Sequence, residues 1–110
     1  MDIRWMGVSG RVYSMELCEF GRPFTTSSGV YLFCKPTIKG GDRWDSIYVG
    51  ETENFDDRLN INLESHHRWA AIKVQGATNV CCLLVPGARS IRLAYETDLR
   101  AALNPPCNRQ

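Results

Sequence analysis

Ser46-Ile-Tyr-Val-Gly-Glu-Thr-Glu-Asn-Phe-Asp-Asp-Arg-Leu59 decides how the rest of the chain is read. Ile47, Tyr48 and Val49 are strand formers, and Gly50 interrupts them. Thr52 or Asn54 then offers a helix cap, and Asp56 and Asp57 stand in the first turn, where acidic side chains suit the positive helix end. The spacing predicts a helix from about Glu53 to Ser65, with Phe55, Leu59 and Leu63 at i, i+4 and i+8 as its buried stripe. Arg58 falls roughly 60° from Phe55 on the helical wheel, at the edge of that stripe. A strand that turns on a glycine into a helix carries the Tyr48 hydroxyl and the Arg58 guanidinium to one rim. That geometry can grip a phosphate.

Working outward, 110 residues make one domain, long enough for a core and too short for two. A hydrophobic fraction of 44% and a charged fraction of 23% are ordinary for a soluble protein. No apolar run approaches the ~20 residues of a membrane helix, and Met1-Asp-Ile-Arg-Trp5 lacks the pattern of a signal peptide. A cytoplasmic protein with no membrane partner is therefore expected. The five cysteines are an odd number without C-x-x-C spacing, and they read as reduced, mostly buried thiols. The net charge of +1 does not announce a polyanion binder, but its distribution is uneven. Between Glu51 and Glu64 five acids face Arg58 alone, whereas between Lys73 and Arg109 five basic residues face Glu96 and Asp98. A polyanion would approach the C-terminal half.

Residues 1–10 show no clear period and read as a loose lead-in. Val12 to Leu17 is a candidate first strand and Gly21 to Ser28 a turn-rich connection. Gly29 to Cys34 is strongly β-prone, with Pro36 ending it. The Lys39-Gly-Gly-Asp42 loop leads to the strand at Ile47, making an antiparallel hairpin. After the helix at Glu53–Ser65 comes a second helical stretch, Trp69 to Gln75, stopped by Gly76. Val80 to Val85 reads as a strand covered on both sides. Ser90 to Leu103 is the last helix, with Ile91, Tyr95, Leu99, Ala102 and Leu103 on one face, and Asn104-Pro-Pro106 ends it. This order suggests an α+β domain with helices packed over a small sheet.

Gly29-Val-Tyr31, then Tyr48-Val-Gly50, then Arg58 eight positions past that glycine, then Glu96 followed by Leu99, Leu103, Pro105, Pro106 and Asn108, resembles the GIY-YIG nuclease superfamily. The likeness covers Ser28 to Arg109, leaving residues 1–27 as an N-terminal extension to a core of about 28–109. It implies a small three-stranded antiparallel central sheet flanked by helices, with the strand at Val12–Leu17 as an added edge. It also implies a DNA endonuclease, hydrolysing phosphodiester bonds with a divalent metal ion, Mg²⁺ or its substitute Mn²⁺.

Such chemistry must deprotonate a water and neutralise the charge gathering at phosphorus. The resemblance makes Tyr31 the general base or water-positioning group, a role that needs a neighbouring cation because an unperturbed phenol has a pKa of ~10. Tyr48 would orient the water or the phosphate, Arg58 would fork onto two phosphate oxygens, and Glu96 would be the sole protein ligand to the metal. Asn108, Lys35, Arg92 and Arg100 are the candidates for substrate contact, with Lys39 as the alternative to Lys35. Two positions depart from the pattern. Glu51 stands where many relatives carry a base, and Asn62 where a histidine often sits; either an extended helix lets His66 take that part or the part is unfilled.

Each residue also has a plain reading. The tyrosines are good strand formers, and Glu96 lies four residues from both Arg92 and Arg100, a ladder worth ~0.3–0.5 kcal/mol per pair without any function. The rival to an enzyme is a catalytically silent domain that binds nucleic acid or protein through the same groove. With no second DNA-reading module in the sequence, low intrinsic specificity is expected, supplemented by a protein partner or homo-oligomerisation.

Overall fold

A computed structural model describes residues 1–38 and 43–108. The loop expected at Lys39–Asp42, with Lys39 itself, lies outside the described residues, as does Arg109. The chain forms β1 (Asp2–Met6), β2 (Val12–Cys18), β3 (Gly29–Pro36), β4 (Trp44–Thr52), α1 (Trp69–Val74), β5 (Asn79–Leu84) and α2 (Arg89–Leu103). Single turns occupy Asp57–Ile61, Leu63–Ser65 and Pro106–Asn108.

The three-stranded sheet flanked by helices is overturned. One five-stranded sheet runs in the order β1-β2-β5-β3-β4, antiparallel throughout, and helices are few. The physical reason lies in β5, whose Val80 and Cys81 are wholly buried and need a strand on either side. On one side β3 pairs along its length from Gly29↔Leu84 to Cys34↔Asn79, and on the other β2 pairs through Glu16↔Cys82 to Cys18↔Val80. β2 is thus an inner strand. Residues 2–6, whose pattern is too short to define a strand from sequence, supply the true edge because Trp5 is drawn into the core and Met6 pairs with Val12.

Strand alternation divides the core between the two faces of the sheet. One face carries Val30, Leu32, Cys34, Val49 and Cys81, closed by Leu99 of α2 and by Trp5, Tyr13 and Met15 of the hairpin. The other carries Tyr31, Phe33 and Val80, closed by Phe55, Leu59, Leu63 and Ile72. A bulge adjusts β4: Tyr48 faces Phe33 and Ser46 faces Cys34, so Ile47 is an extra residue, and Ile47 and Tyr48 join the same cluster.

The helix expected over Glu53–Ser65 is replaced by a wide π turn at Asp57–Ile61 and a 3₁₀ turn at Leu63–Ser65. The backbone N–H of Asn62 reaches back five residues to the Asp57 carbonyl at 2.8 Å. An apolar stripe spaced strictly by four drifts about 40° per step on a regular α-helix, and the wider π turn absorbs that drift. Phe55, Leu59 and Leu63 all reach the core as the stripe requires. Asn54, one of the two expected caps, accepts from the Asp57 N–H at 3.1 Å. Asp56 instead organises the preceding connection, accepting from the Phe24 N–H at 3.0 Å and from Asn60 at 3.1 Å.

α2 is docked by one carboxylate. Asp98 accepts from the Tyr13 hydroxyl at 2.7 Å and from the Ser9 N–H and hydroxyl at 2.9 and 2.8 Å. These bonds hold the Asp98 carboxyl below its ordinary range, and burial together with Asp98 pushes Tyr13 up to about 12. Of the face expected on this helix, Leu99 is buried and Tyr95 and Leu103 pack partly against the core, but Ile91 is exposed and Arg92 is buried instead.

Gly50 opposes Tyr31 across the strand pair, and a Cβ there would land on the Tyr31 ring and hydroxyl. A Gly50→Ala substitution is expected to lower stability by about 1–3 kcal/mol through overpacking, read from urea unfolding. A variant with the wild-type midpoint would mean that the ring has other room.

Candidate active site

Tyr31 and Tyr48 come from neighbouring strands and lie with ring centroids 6.1 Å apart. Tyr31 is 1% exposed, and its hydroxyl meets His66 Nε2 at 2.7 Å. His66 is brought there by the broken helix: the 3₁₀ turn ends at Ser65, and His66 adopts an extended backbone that turns its ring inward, packed edge-on to Tyr48. The helix does not lengthen to deliver it.

The protonation of this pair follows from its partners. His66 Nδ1 accepts from the Arg68 backbone N–H at 3.1 Å, so Nδ1 carries the lone pair. Burial, with the nearby charges of His67 and Arg58, pushes His66 down to about 4, so the ring is neutral near pH 7 and its proton sits on Nε2. Nε2–H therefore donates to the Tyr31 oxygen. The Tyr31 proton has to point elsewhere and cannot pass to this histidine.

Electrostatic reach joins the remaining residues to the phenols. Burial pushes the Tyr31 phenol up, as does neighbouring Tyr48, while Arg58 acts in the opposite sense and the Glu96 charge adds to the rise. Tyr48 is likewise raised by burial and then by Glu96, against Arg58 and Arg100. Glu96 is itself raised by burial, although Arg100 donates to it at 3.3 Å and opposes the shift. Direct contacts gather Tyr31, Tyr48 and His66, Arg58 lines the cleft with His66, and Glu96 bears on the phenols through its charge alone.

The other candidates for substrate contact are engaged internally. Arg92 is 3% exposed, its Nε bonds Glu51 at 3.0 Å and its Nη1 bonds the Gly87 carbonyl at 3.2 Å. Lys35 Nζ donates to the Gln75 carbonyl at 2.9 Å, satisfying a backbone acceptor at the end of α1. Asn108 clamps the outer edge of β4: its amide oxygen accepts from the Val49 N–H at 2.8 Å, and its amide nitrogen donates to the Val49 carbonyl at 2.9 Å. That clamp fixes the backbone between Tyr48 and Gly50. Arg100 remains exposed at the edge of the site, tied to Glu96.

An open cleft of about 460 Å³ lies beside this group, lined by Glu51, Glu53, Asp57, Arg58, His66 and Arg89 among others. Arg58 and His66 reach its surface, and the Tyr31 phenol lies behind His66. Arg89 reads from the sequence equally as a solvated charge or a phosphate contact and Glu51 as a departure from the family pattern, and neither spacing nor residue type shows that they pair at this cleft. The available signal was Glu51 itself, an acid directly after the strand-ending glycine. Burial pushes its carboxyl up, but hydrogen bonds from Arg89 and Arg92 outweigh that and hold it below its ordinary value. Its charge is thereby covered rather than presented to the cleft.

Among the described residues no group of three or more His, Cys, Asp or Glu side chains gathers that could hold a metal ion by itself. A half-buried lone carboxylate such as Glu96 still suits Mg²⁺, which keeps several waters and shares substrate oxygens. Arg100 engages only Oε1 of that carboxylate. All five cysteines are free, with Cys34, Cys81 and Cys107 buried. No family model, no curated protein and no solved structure matches the chain.

Two outcomes test this geometry. Because His66 titrates lower in the folded state than its ordinary value of 6.5, the unfolded chain binds the extra proton between pH 6.5 and about 4. Stability should therefore be fully present above pH 6.5 and fall as the pH drops toward 4, by up to about 3 kcal/mol, and His66→Gln should flatten that slope in urea titrations. Asn108→Ala should cost about 1–3 kcal/mol by leaving the Val49 groups unpaired, with faster amide exchange at Val49. Unchanged protection there would refute the clamp.

Proposed function

We propose that this protein is a metal-dependent endonuclease of the GIY-YIG type, cutting DNA phosphodiester bonds with little intrinsic sequence preference. The observation that carries the reading is the Tyr31–His66 hydrogen bond at 2.7 Å, with its tautomer set by Arg68 and with Arg58 and Glu96 both acting on the phenol.

Arg58, in the cleft, forks onto the non-bridging oxygens of the scissile phosphate and stays charged throughout. Tyr31 accepts from His66, which leaves its own proton for the attacking water once substrate binding opens the 1%-exposed phenol to the cleft. Its raised pKa keeps it protonated at neutral pH, so any base function depends on added positive charge nearby. His66 is a positioning residue: it fixes the phenol and would stabilise its anion through Nε2–H. Tyr48 orients the phosphate or the water from the adjacent strand. Glu96 would hold Mg²⁺, or Mn²⁺ in its place, and the ion would supply positive charge against the transition state and lower the pKa of groups beside it.

The acidic rim, Glu53 and Asp57, favours a second reading in which the same cleft is catalytically silent and docks a basic protein surface. In the nuclease reading that rim is offset by a protein partner or a second copy that brings basic surface to the DNA. Among the described residues no helix is long and apolar enough to cross a membrane, and the five free thiols suit a cytoplasmic setting.

Plasmid nicking decides between them. Wild type with Mg²⁺ or Mn²⁺ should convert supercoiled plasmid to nicked circles, and chelation should stop it. Tyr31→Phe and Glu96→Gln should each slow nicking by about 10²–10⁴-fold. A wild type inert with every divalent ion, or a Glu96→Gln variant of full activity, removes the nuclease reading. Absence of nicking together with salt-dependent binding of polylysine, weakened by Asp57→Asn and indifferent to Glu96→Ala, would favour the silent domain.

A further inference from the structure

We propose that Arg89 is a second phosphate-binding residue of the cleft, aimed by Glu51 at the DNA backbone beside the phosphate gripped by Arg58. The inference rests on the nuclease reading of this cleft and adds to it a contact that the sequence motifs do not contain.

Arg58 comes from the π turn and Arg89 opens α2, yet both line the same cleft. Glu51 stands between them and the scaffold. Its Oε2 accepts from Arg92 Nε at 3.0 Å and its Oε1 from Arg89 Nε at 2.9 Å. Arg92 is buried and further fixed by the Gly87 carbonyl, so the carboxylate is held from behind by a cation that cannot move. Pinned in this way, Glu51 orients the guanidinium of Arg89, whose side chain is 65% exposed.

An exposed ion pair adds little stability, so orientation is what this arrangement supplies. Among the described residues Glu51 is the only partner of the Arg89 guanidinium, and it takes the Nε donor. A guanidinium has five N–H donors, so the four on its two Nη atoms remain for a planar, two-oxygen acceptor such as a phosphodiester. Two arginine charges exceed the single charge of Glu51, and the exposed Glu53 carboxylate, 3.9 Å from Arg92 Nη2, faces the buried member of the pair. The acid that follows Gly50 thus fixes one guanidinium in a cleft whose rim also carries Glu53 and Asp57. A strand lying in the cleft then meets both Arg58 and Arg89, which line it together.

The test is equilibrium binding of a short fluorescently labelled DNA duplex, followed by anisotropy in EDTA over a series of salt concentrations. Arg89→Ala and Arg89→Gln should each weaken binding about tenfold at low salt and reduce the slope of log affinity against log salt by about 1. Arg4→Ala removes the same charge from exposed β1 and should leave the slope unchanged. Slopes equal to wild type in both Arg89 variants, or an equal fall in Arg4→Ala, overturn the inference and leave the nuclease reading standing. A wild type without salt-dependent DNA binding sinks both. Unfolding midpoints close to wild type are expected for the Arg89 variants, since the side chain is exposed.

Discussion

The hydrogen bond from His66 to Tyr31 exists only because Gly50 has no side chain. The phenol lies across β4 at the point where any Cβ would collide with it, and there it meets an imidazole carried in by a different part of the chain. Around this contact the structure arranges its specialised pieces: the bulge that sends Ile47 and Tyr48 to the same cluster, the π turn that breaks the expected helix, and the asparagine clamp on Val49. Burial makes the contact consequential. It pushes the imidazole down and the phenol up, so both are neutral at pH 7 and the direction of the hydrogen bond is set by a single backbone N–H.

Charge is handled by a division of labour among the arginines. Arg92 is spent inside the protein to hold Glu51, and Arg100 is paired with Glu96 on its own helix. Arg58 and Arg89 are the ones that line the cleft. A carboxylate shared by a buried and an exposed guanidinium resists rearrangement, because releasing it would leave the buried cation of Arg92 uncompensated. The N-terminal hairpin takes part from a distance: Ser9 and Tyr13 grip Asp98, two residues beyond Glu96, and so fix where the last helix lies.

The parts of the fold that follow from short-range pattern were legible. Val12–Leu17, Gly29–Cys34 and Ile47–Val49 fall within strands, Val80–Leu84 does so with only Val85 left beyond the strand end, and the last helix ends at Leu103 as its Asn-Pro-Pro sequel requires. The first strand was not legible. Ile3 and Trp5 do alternate with Asp2 and Arg4, but the pattern spans too few residues before the Gly7–Gly10 turn to define a strand, and pairing with Val12–Glu16 makes it one. The helix at Glu53–Ser65 misled for a related reason. Its apolar spacing of four was read correctly as a buried stripe, but spacing alone does not separate a drifting α-helix from a π turn that absorbs the drift. Arg92 shows the same limit, since a charged residue on a helix reads as solvated until a partner from β4 buries it.

By itself the sequence determined most of the strands, the buried stripe after Gly50, the last helix and the order in which the candidate residues occur, because residue type and local spacing survive without tertiary contacts. Only the tertiary structure decided that His66 meets Tyr31, that Glu51 is clamped by two arginines and that Asn108 and Lys35 serve the backbone. Those pairings join residues between 35 and 59 positions apart. Contacts at such separations are fixed by how the sheet registers and where its ends are tied, and no local periodicity encodes them.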